Sequence, residues 1–366
     1  MPRSLATVSL ALLTVTLIGW LLHVGRSLLL PFVIALVAWY LINTVALGFK
    51  KLPLGPFRLP GWVALPAALL TIFGVSSFVF DLVTANLTEL AGDAPLYQTR
   101  LEQVFNELMA SLQLQDQVEL QDLLPSGIVS KLISAGASII TTVAGSASLV
   151  FIYVLFLLME QSTFDRKLMR LFTSKERAEV AFAIRAAVGK SVRHYVNIKT
   201  AVSVMTGLLT SALLSFIGLP YAALFGFIAF LLNYIPTIGS LISVIFPSML
   251  ALVYFKDLSQ FLIIAGGLGL IQFSIGNILE PRLMGTSLNL SGLVIMLSLA
   301  FWGTLWGVTG MVLCVPLTVL GLIVCAQFPA TRPIAILLSA DGEVGEPLAL
   351  HEHADIAGST ENHPKA

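Results

Sequence analysis

The stretch LLNYIPTIGSLIS, residues 231–243, places an amide, a phenol, hydroxyls, a proline and a glycine inside a long apolar run. The run covers residues 221–254, and as a straight helix it would be about 51 Å long. The hydrocarbon core of a bilayer is only about 30 Å thick, so the run is too long for one ordinary crossing. Pro236 removes a backbone donor, and Gly239 permits conformations that other residues avoid. We therefore predict a discontinuous element that breaks at NYIPTIG.

A second run has the same design. Residues 290–327 would form a helix about 57 Å long, and WGTLWGVTG (302–310) interrupts it. A single span precedes each broken run, over residues 200–218 and 258–277. A span followed by a re-entrant element, repeated in the opposite orientation, is a recurrent transporter design. The alternative is eight plain crossings, two of them kinked; Lys256 and Asp257 would lie outside if the first element re-enters and inside if it crosses.

The composition identifies an integral membrane protein. Of 366 residues, 57% are hydrophobic and 11% are charged, against about 25% charged in soluble domains, and the mean hydropathy is +0.92. We predict an all-α polytopic membrane protein with about eight membrane helices, two of them discontinuous or re-entrant, and an amphipathic extracytoplasmic helical arm. Besides the runs above, candidate spans cover residues 5–23, 27–48, 61–83 and 136–159.

Charge divides the chain into regions and orients it. Residues 160–199 hold nine Lys/Arg against four Asp/Glu, which predicts a cytoplasmic loop. The acidic arm then lies outside, and both termini lie in the cytoplasm. The predicted regions are a three-span region (1–83), the arm (84–135), the fourth span with the basic loop (136–199), a transport module (200–331) and a partly disordered tail (332–366).

The basic loop contains Gly189-Lys190-Ser191, which resembles the end of a phosphate-binding loop. The pattern needs a second glycine five residues earlier, where Ile184 stands, and it needs a strand before it, whereas these residues are typical of a helix. We predict instead a basic amphipathic segment that turns Arg185, Arg193 and Lys199 toward lipid headgroups. The sequence contains no recognisable catalytic or metal-ligating set, so we expect no enzyme activity, no metal and no cofactor.

Polar groups in the transport module are the candidate site. Glu280 is either a functional charge at membrane depth or, with Arg282, part of a solvated turn. Gln272 and Asn277 are suited to binding a polar solute or to linking helices. The break at NYIPTIG must face a cavity or a polar surface, unless neighbouring groups satisfy it as a simple kink. The candidate substrate-binding or gating residues are Asn233, Tyr234, Pro236, Thr237, Gly239, Gln272, Asn277, Glu280, Trp306, Gly307 and Gly310.

Three stretches carry a family resemblance. LLLPFVIALVAWYLINTV (28–45), IGLPYAALFGFIAFLLNYIPTIGSLIS (217–243) and GNILEPRLMGTSLNLSGLVIMLSLAFWGTLWGVTGMVLCVPLTVL (276–320) resemble the autoinducer-2 exporter family of bacterial inner-membrane proteins. The combination of NYIPTIG, EPRLMG and WGxxGMxxxVP is specific. The resemblance implies a secondary transporter in the bacterial inner membrane, associated with export of a quorum-sensing signal; some relatives are assigned to sodium/proton antiport.

Three functions follow as hypotheses. The first is export of a small polar metabolite or signal by alternating access, with the residues of NYIPTIG as one wall of the site and Trp306, Gly307 and Gly310 as the other. The second is monovalent cation/proton antiport that relies on Glu280. The third is a non-transporting scaffold whose acidic arm binds an envelope partner. The scarcity of intramembrane carboxylates favours an uncharged or weakly anionic solute. The expected partners are this solute, the lipid bilayer and further copies of the chain, and no nucleic acid.

Overall fold

The computed structural model of the chain describes residues 5–51, 60–111, 128–172, 175–285 and 289–344. All regular structure in these ranges is helical. A π-helical turn, Ser274–Leu279, joins the ninth helix to the tenth. The helices are α1 (Leu5–Val24), α2 (Arg26–Lys51), α3 (Gly61–Ser111), α4 (Ile128–Glu160), α5 (Phe164–Leu171), α6 (Lys175–Ile217), α7 (Ala222–Leu232), α8 (Ile238–Phe255), α9 (Leu258–Phe273), α10 (Glu280–Met284), α11 (Gly292–Gln327) and α12 (Arg332–Leu338).

The helices have the length and composition of membrane spans. Within the described residues six helices are long and apolar enough to cross a bilayer, or seven if the pair α4 and α5, bent by 70°, counts as one span. Two shorter apolar helices add to these, over Leu12–Val24 and Ala222–Leu232. The prediction of an all-α polytopic membrane protein with two discontinuous elements is confirmed.

Two helices are longer than the sequence predicted. The predicted third span and the beginning of the acidic arm form one helix, α3, of 51 residues. At 1.5 Å per residue α3 is about 76 Å long, more than twice the thickness of the hydrocarbon core. The basic segment after Lys175 likewise continues into the predicted span as α6, which has 43 residues. The rest of the arm over 112–127 and the tail beyond residue 344 lie outside the described residues.

The chain divides into two compact units. The first unit comprises Met1–Tyr40, Leu149–Asn197 and Met284–Ala366; the second comprises Leu41–Ser148 and Ile198–Leu283. In the first unit α12 packs against α11. The second unit is built around a buried apolar cluster of Val83, Tyr97, Leu214, Leu219, Tyr221, Leu224, Phe225, Ala251, Val253, Ile264 and Leu268.

The first broken element, α7 and α8, is a helical hairpin in the second unit. Tyr221, before the start of α7, and Ala251, near the end of α8, belong to the same buried cluster. In a straight helix these residues would be about 45 Å apart. The chain therefore reverses its direction between Leu232 and Ile238 instead of passing through a kink.

The second broken element, α11, folds back in the same way in the first unit. The helical geometry fails at Gly307, where φ is 63° and ψ is −145°. The Trp302 indole donates a hydrogen bond to the Thr318 hydroxyl at 3.3 Å, although sixteen residues of straight helix would separate them by about 24 Å. Both broken runs are hairpins, as the re-entrant alternative requires.

Helix α3 holds the open end of the first hairpin. The Tyr221 hydroxyl donates to the Asp93 carboxylate at 2.6 Å, and the Lys256 ammonium donates to the Gln103 amide oxygen at 3.4 Å. Tyr221 and Lys256 both have a left-handed backbone, with φ of 59° and 54°, and they flank the two ends of the hairpin. The polar half of α3 thus fixes the base of the hairpin.

The next helix, α9, starts at a defined cap. The Asp257 carboxylate accepts hydrogen bonds from the Ser259 backbone N–H at 2.9 Å and from the Ser259 hydroxyl. These two donors hold the pKa of Asp257 below its usual range. They satisfy the carboxylate in the way expected of an N-terminal capping residue.

Candidate functional site

The tip of the first hairpin is a strained turn. The Pro236 carbonyl accepts a hydrogen bond from the Ile238 N–H at 2.6 Å, and Thr237 between them has φ of 62° and ψ of −55°. This is a γ-turn in its rare, strained form. A β-branched residue with a positive φ is a true outlier that the surrounding structure must enforce. Such strain is concentrated at functional sites in proteins, which makes the tip a candidate site.

Gly239 allows the hairpin to close. A Cβ atom built on Gly239 would lie 1.7 Å from the carbonyl oxygen of Leu232, seven residues earlier. No real side chain fits such a contact. The predicted need for glycine in this break therefore has a specific cause, the close approach of α8 to the end of α7.

The polar side chains of the tip bind α6. Asn233 is 8% exposed, and its amide nitrogen donates to the Ser203 hydroxyl at 2.9 Å. The Tyr234 and Thr200 hydroxyls share a hydrogen bond of 2.8 Å. The break therefore faces a polar protein surface, one of the environments that the sequence required.

That surface is a polar stripe along α6, formed by Lys199, Ser203, Thr206 and Thr210. Their spacing of four, three and four residues puts them on one helix face. Each is at most 5% exposed. The Thr206 hydroxyl donates to the Val202 carbonyl, whereas the Thr210 hydroxyl has no hydrogen-bond partner among the described residues.

Close helix packing lies beside the stripe. A Cβ atom on Gly207 would be 2.7 Å from the Gly226 carbonyl oxygen, and one on Gly226 would be 2.6 Å from that of Gly207. Two glycines facing each other bring the backbones of α6 and α7 together. This contact brings the first arm of the hairpin against the helix that carries the polar stripe.

At one end of the stripe Lys199 forms an ion pair with Glu280. The two side chains are 7% and 18% exposed. The prediction that Lys199 faces lipid headgroups is wrong. The alternative that Glu280 and Arg282 form a solvated turn is wrong for Glu280, whereas Arg282 is exposed. A charge taken out of water requires a partner of opposite sign, and each of these residues supplies the partner of the other.

Gln272 and Asn277 have different surroundings. The Gln272 amide nitrogen donates to the Ser243 hydroxyl at 2.8 Å and so links α9 to α8. Asn277 is exposed in the π-helical turn, and its amide donates to the Phe273 carbonyl at 3.3 Å. Gln272 thus joins the helices around the hairpin, while the structure does not bring Asn277 to the tip.

Arg193 and Arg185, the other two basic residues of the segment predicted to face lipid headgroups, have different surroundings. The Arg193 guanidinium donates to the Tyr40 hydroxyl and stacks over its ring at 5.3 Å, which ties it to α2. Arg193 is nevertheless exposed, so its contact with lipid headgroups stays a prediction. Arg185 is exposed and pairs with Asp165 on α5.

Trp306, Gly307 and Gly310 lie at the break of α11, in the first unit. Trp306 is 6% exposed, and its indole donates to the Leu22 carbonyl of α1 at 3.1 Å. A Cβ atom on Gly310 would lie 2.0 Å from the Trp302 carbonyl oxygen. Gly307 and Gly310 are therefore required by the reversal of the chain, and Trp306 anchors it to α1.

Several residues of this site were missing from the sequence-based set. They are Lys199, Thr200, Ser203, Thr206, Thr210 and Ser243. The four-residue stripe was visible as polar positions at helical spacing in an apolar span, whereas the partners across helices left no local signal. Among the described residues no group of three or more His, Cys, Asp or Glu is arranged to hold a metal ion.

Discontinuous membrane helices with polar groups at the break are a recurrent feature of membrane transporters. The sequence model of the AI-2E family transporter matches residues 10–330. The chain belongs to the AI-2E family of transporters, and the resemblance noted from its motifs is confirmed.

Individual relatives agree with this assignment. The chain is 32% identical over 336 residues to the AI-2 transport protein TqsA of Escherichia coli strain K12, an alignment that covers 91% of this chain and 94% of TqsA. It is also 32% identical over 296 residues to a Haemophilus influenzae protein described only as a candidate transport protein, covering 77% and 82% of the two chains.

Proposed function

We propose that this protein is a secondary transporter that exports a small polar solute of the autoinducer-2 type across the bacterial inner membrane by alternating access. The observation that carries the proposal is the buried polar contact between the strained tip of the first hairpin and the stripe on α6. The name of TqsA gives autoinducer-2 as its transported molecule, and we extend that substrate class to this chain.

The chemistry of the tip fits an uncharged or weakly anionic solute. Asn233, Tyr234, Thr200 and Ser203 offer amide and hydroxyl groups, which donate and accept hydrogen bonds without net charge. Each hydrogen bond between them contributes only about 1 kcal/mol net. A polar solute is able to replace these bonds with its own at little cost, which lets the tip release α6.

Antiport of sodium finds less support in the same geometry. Glu280 lies in the predicted transport module, and its side chain is partly buried. The Lys199 ammonium already neutralises its carboxylate. A sodium ion would have to compete with that ammonium for the carboxylate. The pair is better suited to holding α6 against the end of the π-helical turn than to exchanging cations.

The orientation is part of the proposal. The basic residues between Glu160 and Lys199 favour the cytoplasm for this segment and for both termini. Because α7 and α8 fold back on each other, the base of the first hairpin near Lys256 would then lie outside.

Flux measurements in proteoliposomes test the proposal. We expect wild-type protein to move autoinducer-2 across the vesicle membrane and to move no sodium beyond protein-free vesicles. Glu280→Gln, with correct folding checked by size-exclusion chromatography, is included to expose antiport. Sodium flux that Glu280→Gln abolishes would replace this proposal with the antiporter, and no flux of either substance would replace it with the scaffold.

A further inference from the structure

We propose that α5 is a binding site for anionic phospholipid, with Arg166 and Arg170 holding the headgroup phosphate and the apolar face of the helix entering the acyl region. This inference concerns the first unit and is independent of the transported solute.

The direction of α5 suits a helix at a membrane surface. Helix α4 ends at Glu160, and α5 leaves it at an angle of 70°. If α4 crosses the bilayer, α5 runs close to the membrane plane. None of the residues of α5 is buried in the protein. The Arg185 guanidinium lies over the Phe164 ring at 5.3 Å, and the rest of the helix surface is largely exposed.

The two faces of α5 differ sharply. Phe164, Leu168 and Leu171 follow one another at spacings of four and three residues and so share a face. Phe164 is 44% exposed and Leu171 is 74% exposed. Arg166 and Arg170 lie four residues apart on the opposite side. A short helix with one apolar and one basic face is the pattern of an interfacial helix on an anionic bilayer.

The charge of the basic face is not balanced by nearby carboxylates. Glu160 pairs with Lys167, and Asp165 pairs with Arg185. Within the described ranges no ion pair involves Arg166 or Arg170, the two arginines of α5. Arginine binds phosphate oxygens through two parallel hydrogen bonds, and an anionic phospholipid supplies both the phosphate and the chains that would cover the apolar face.

Hydrogen exchange of residues 164–171 tests this site in the full-length protein in nanodiscs. We expect exchange to be about 30-fold slower in nanodiscs that contain phosphatidylglycerol than in pure phosphatidylcholine, because each basic residue near an anionic surface strengthens binding severalfold. Arg166→Gln/Arg170→Gln should remove this difference. Lys50→Gln/Lys51→Gln, which deletes the same charge at the end of α2, should preserve it.

Two further experiments distinguish a bound lipid from other ligands. Leu171→Ser should speed exchange in both kinds of nanodisc, because it removes apolar contact without changing charge. Glycerol 3-phosphate added to phosphatidylcholine nanodiscs should give no protection. The proposal is overturned by equal exchange in the two lipids, by a charge variant that keeps the difference, or by protection from soluble glycerol phosphate alone.

Discussion

The Lys199–Glu280 pair shows how one residue can be misread from sequence. Lys199 ends a basic segment, which favoured a headgroup contact, but its partner lies 81 positions away and leaves no local pattern. Both side chains are mostly buried, so the loss of one partner strands the charge of the other. Loss of one partner of this pair should therefore cost more stability than loss of a partner from the exposed ion pairs in the described residues, Lys167–Glu160 and Arg185–Asp165.

Removal of one partner of the Lys199–Glu280 pair should lower the free energy of unfolding strongly, whereas removal of both partners should lower it little. Lys199→Met is expected to lower the free energy of unfolding by about 3–5 kcal/mol, whereas Lys199→Met/Glu280→Met recovers most of the loss. Lys167→Met is the control, because its pair with Glu160 is 67% and 46% exposed and is worth at most about 1 kcal/mol. Denaturant unfolding in detergent measures all three; a double variant as unstable as the single one would contradict the pairing.

Thr237 is a residue whose backbone conformation is expected to lower the stability of the protein. Its strained backbone costs on the order of 1–3 kcal/mol, and glycine adopts a positive φ freely. Thr237→Gly should therefore leave stability unchanged or raise it. Ala300→Gly, in an exposed helical position of α11, should lower stability by about 1 kcal/mol. Thermal unfolding compares the two variants, and destabilisation of similar size in both would argue against strain at the tip.

At the scale of elements, each hairpin depends on one close approach of backbone to backbone. Gly239→Ala and Gly310→Ala place a methyl group 1.7 and 2.0 Å from carbonyl oxygens, so both should prevent closure and reduce the yield of folded protein. Gly269→Ala and Gly321→Ala meet nothing within 4 Å and should be tolerated, because alanine favours helix. Size-exclusion profiles after detergent extraction separate these outcomes; normal profiles for Gly239→Ala and Gly310→Ala would exclude the hairpin geometry.

The breaks in both runs were predictable from sequence, whereas a reversal of the chain at each break was only one of two alternatives that the sequence left open. Run length, Pro236 and the glycines of both motifs marked where helices had to stop. The reversal itself depends on contacts such as Trp302 with Thr318, which connect residues that no local pattern relates. The change from apolar to acidic residues after residue 83 predicts a boundary there, but α3 continues through it. No proline or glycine stops the helix at that point, and even Pro95 is accommodated within it.

At the scale of the whole molecule, composition and the apolar runs predicted a polytopic helical membrane protein, and the motifs predicted the family that the sequence model confirms. The candidate site was predicted in part: the tip residues and Gln272 lie in a polar network, but the opposing face on α6 was not foreseen. Its partners are neutral hydroxyls on an apolar helix, which satisfy one another across helices and give only a weak signal in a single sequence.

The transported solute and its path are the central claim, and a matched pair of asparagines tests it most directly. Asn233 is buried against Ser203, whereas Asn277 is exposed and binds only the carbonyl of its own helix. We predict that Asn233→Leu lowers autoinducer-2 efflux from proteoliposomes by about tenfold, the equivalent of one lost polar contact, and that Asn277→Leu stays within about twofold of wild type. Equal efflux from both variants, each verified as folded, would contradict a solute path at the tip of the first hairpin.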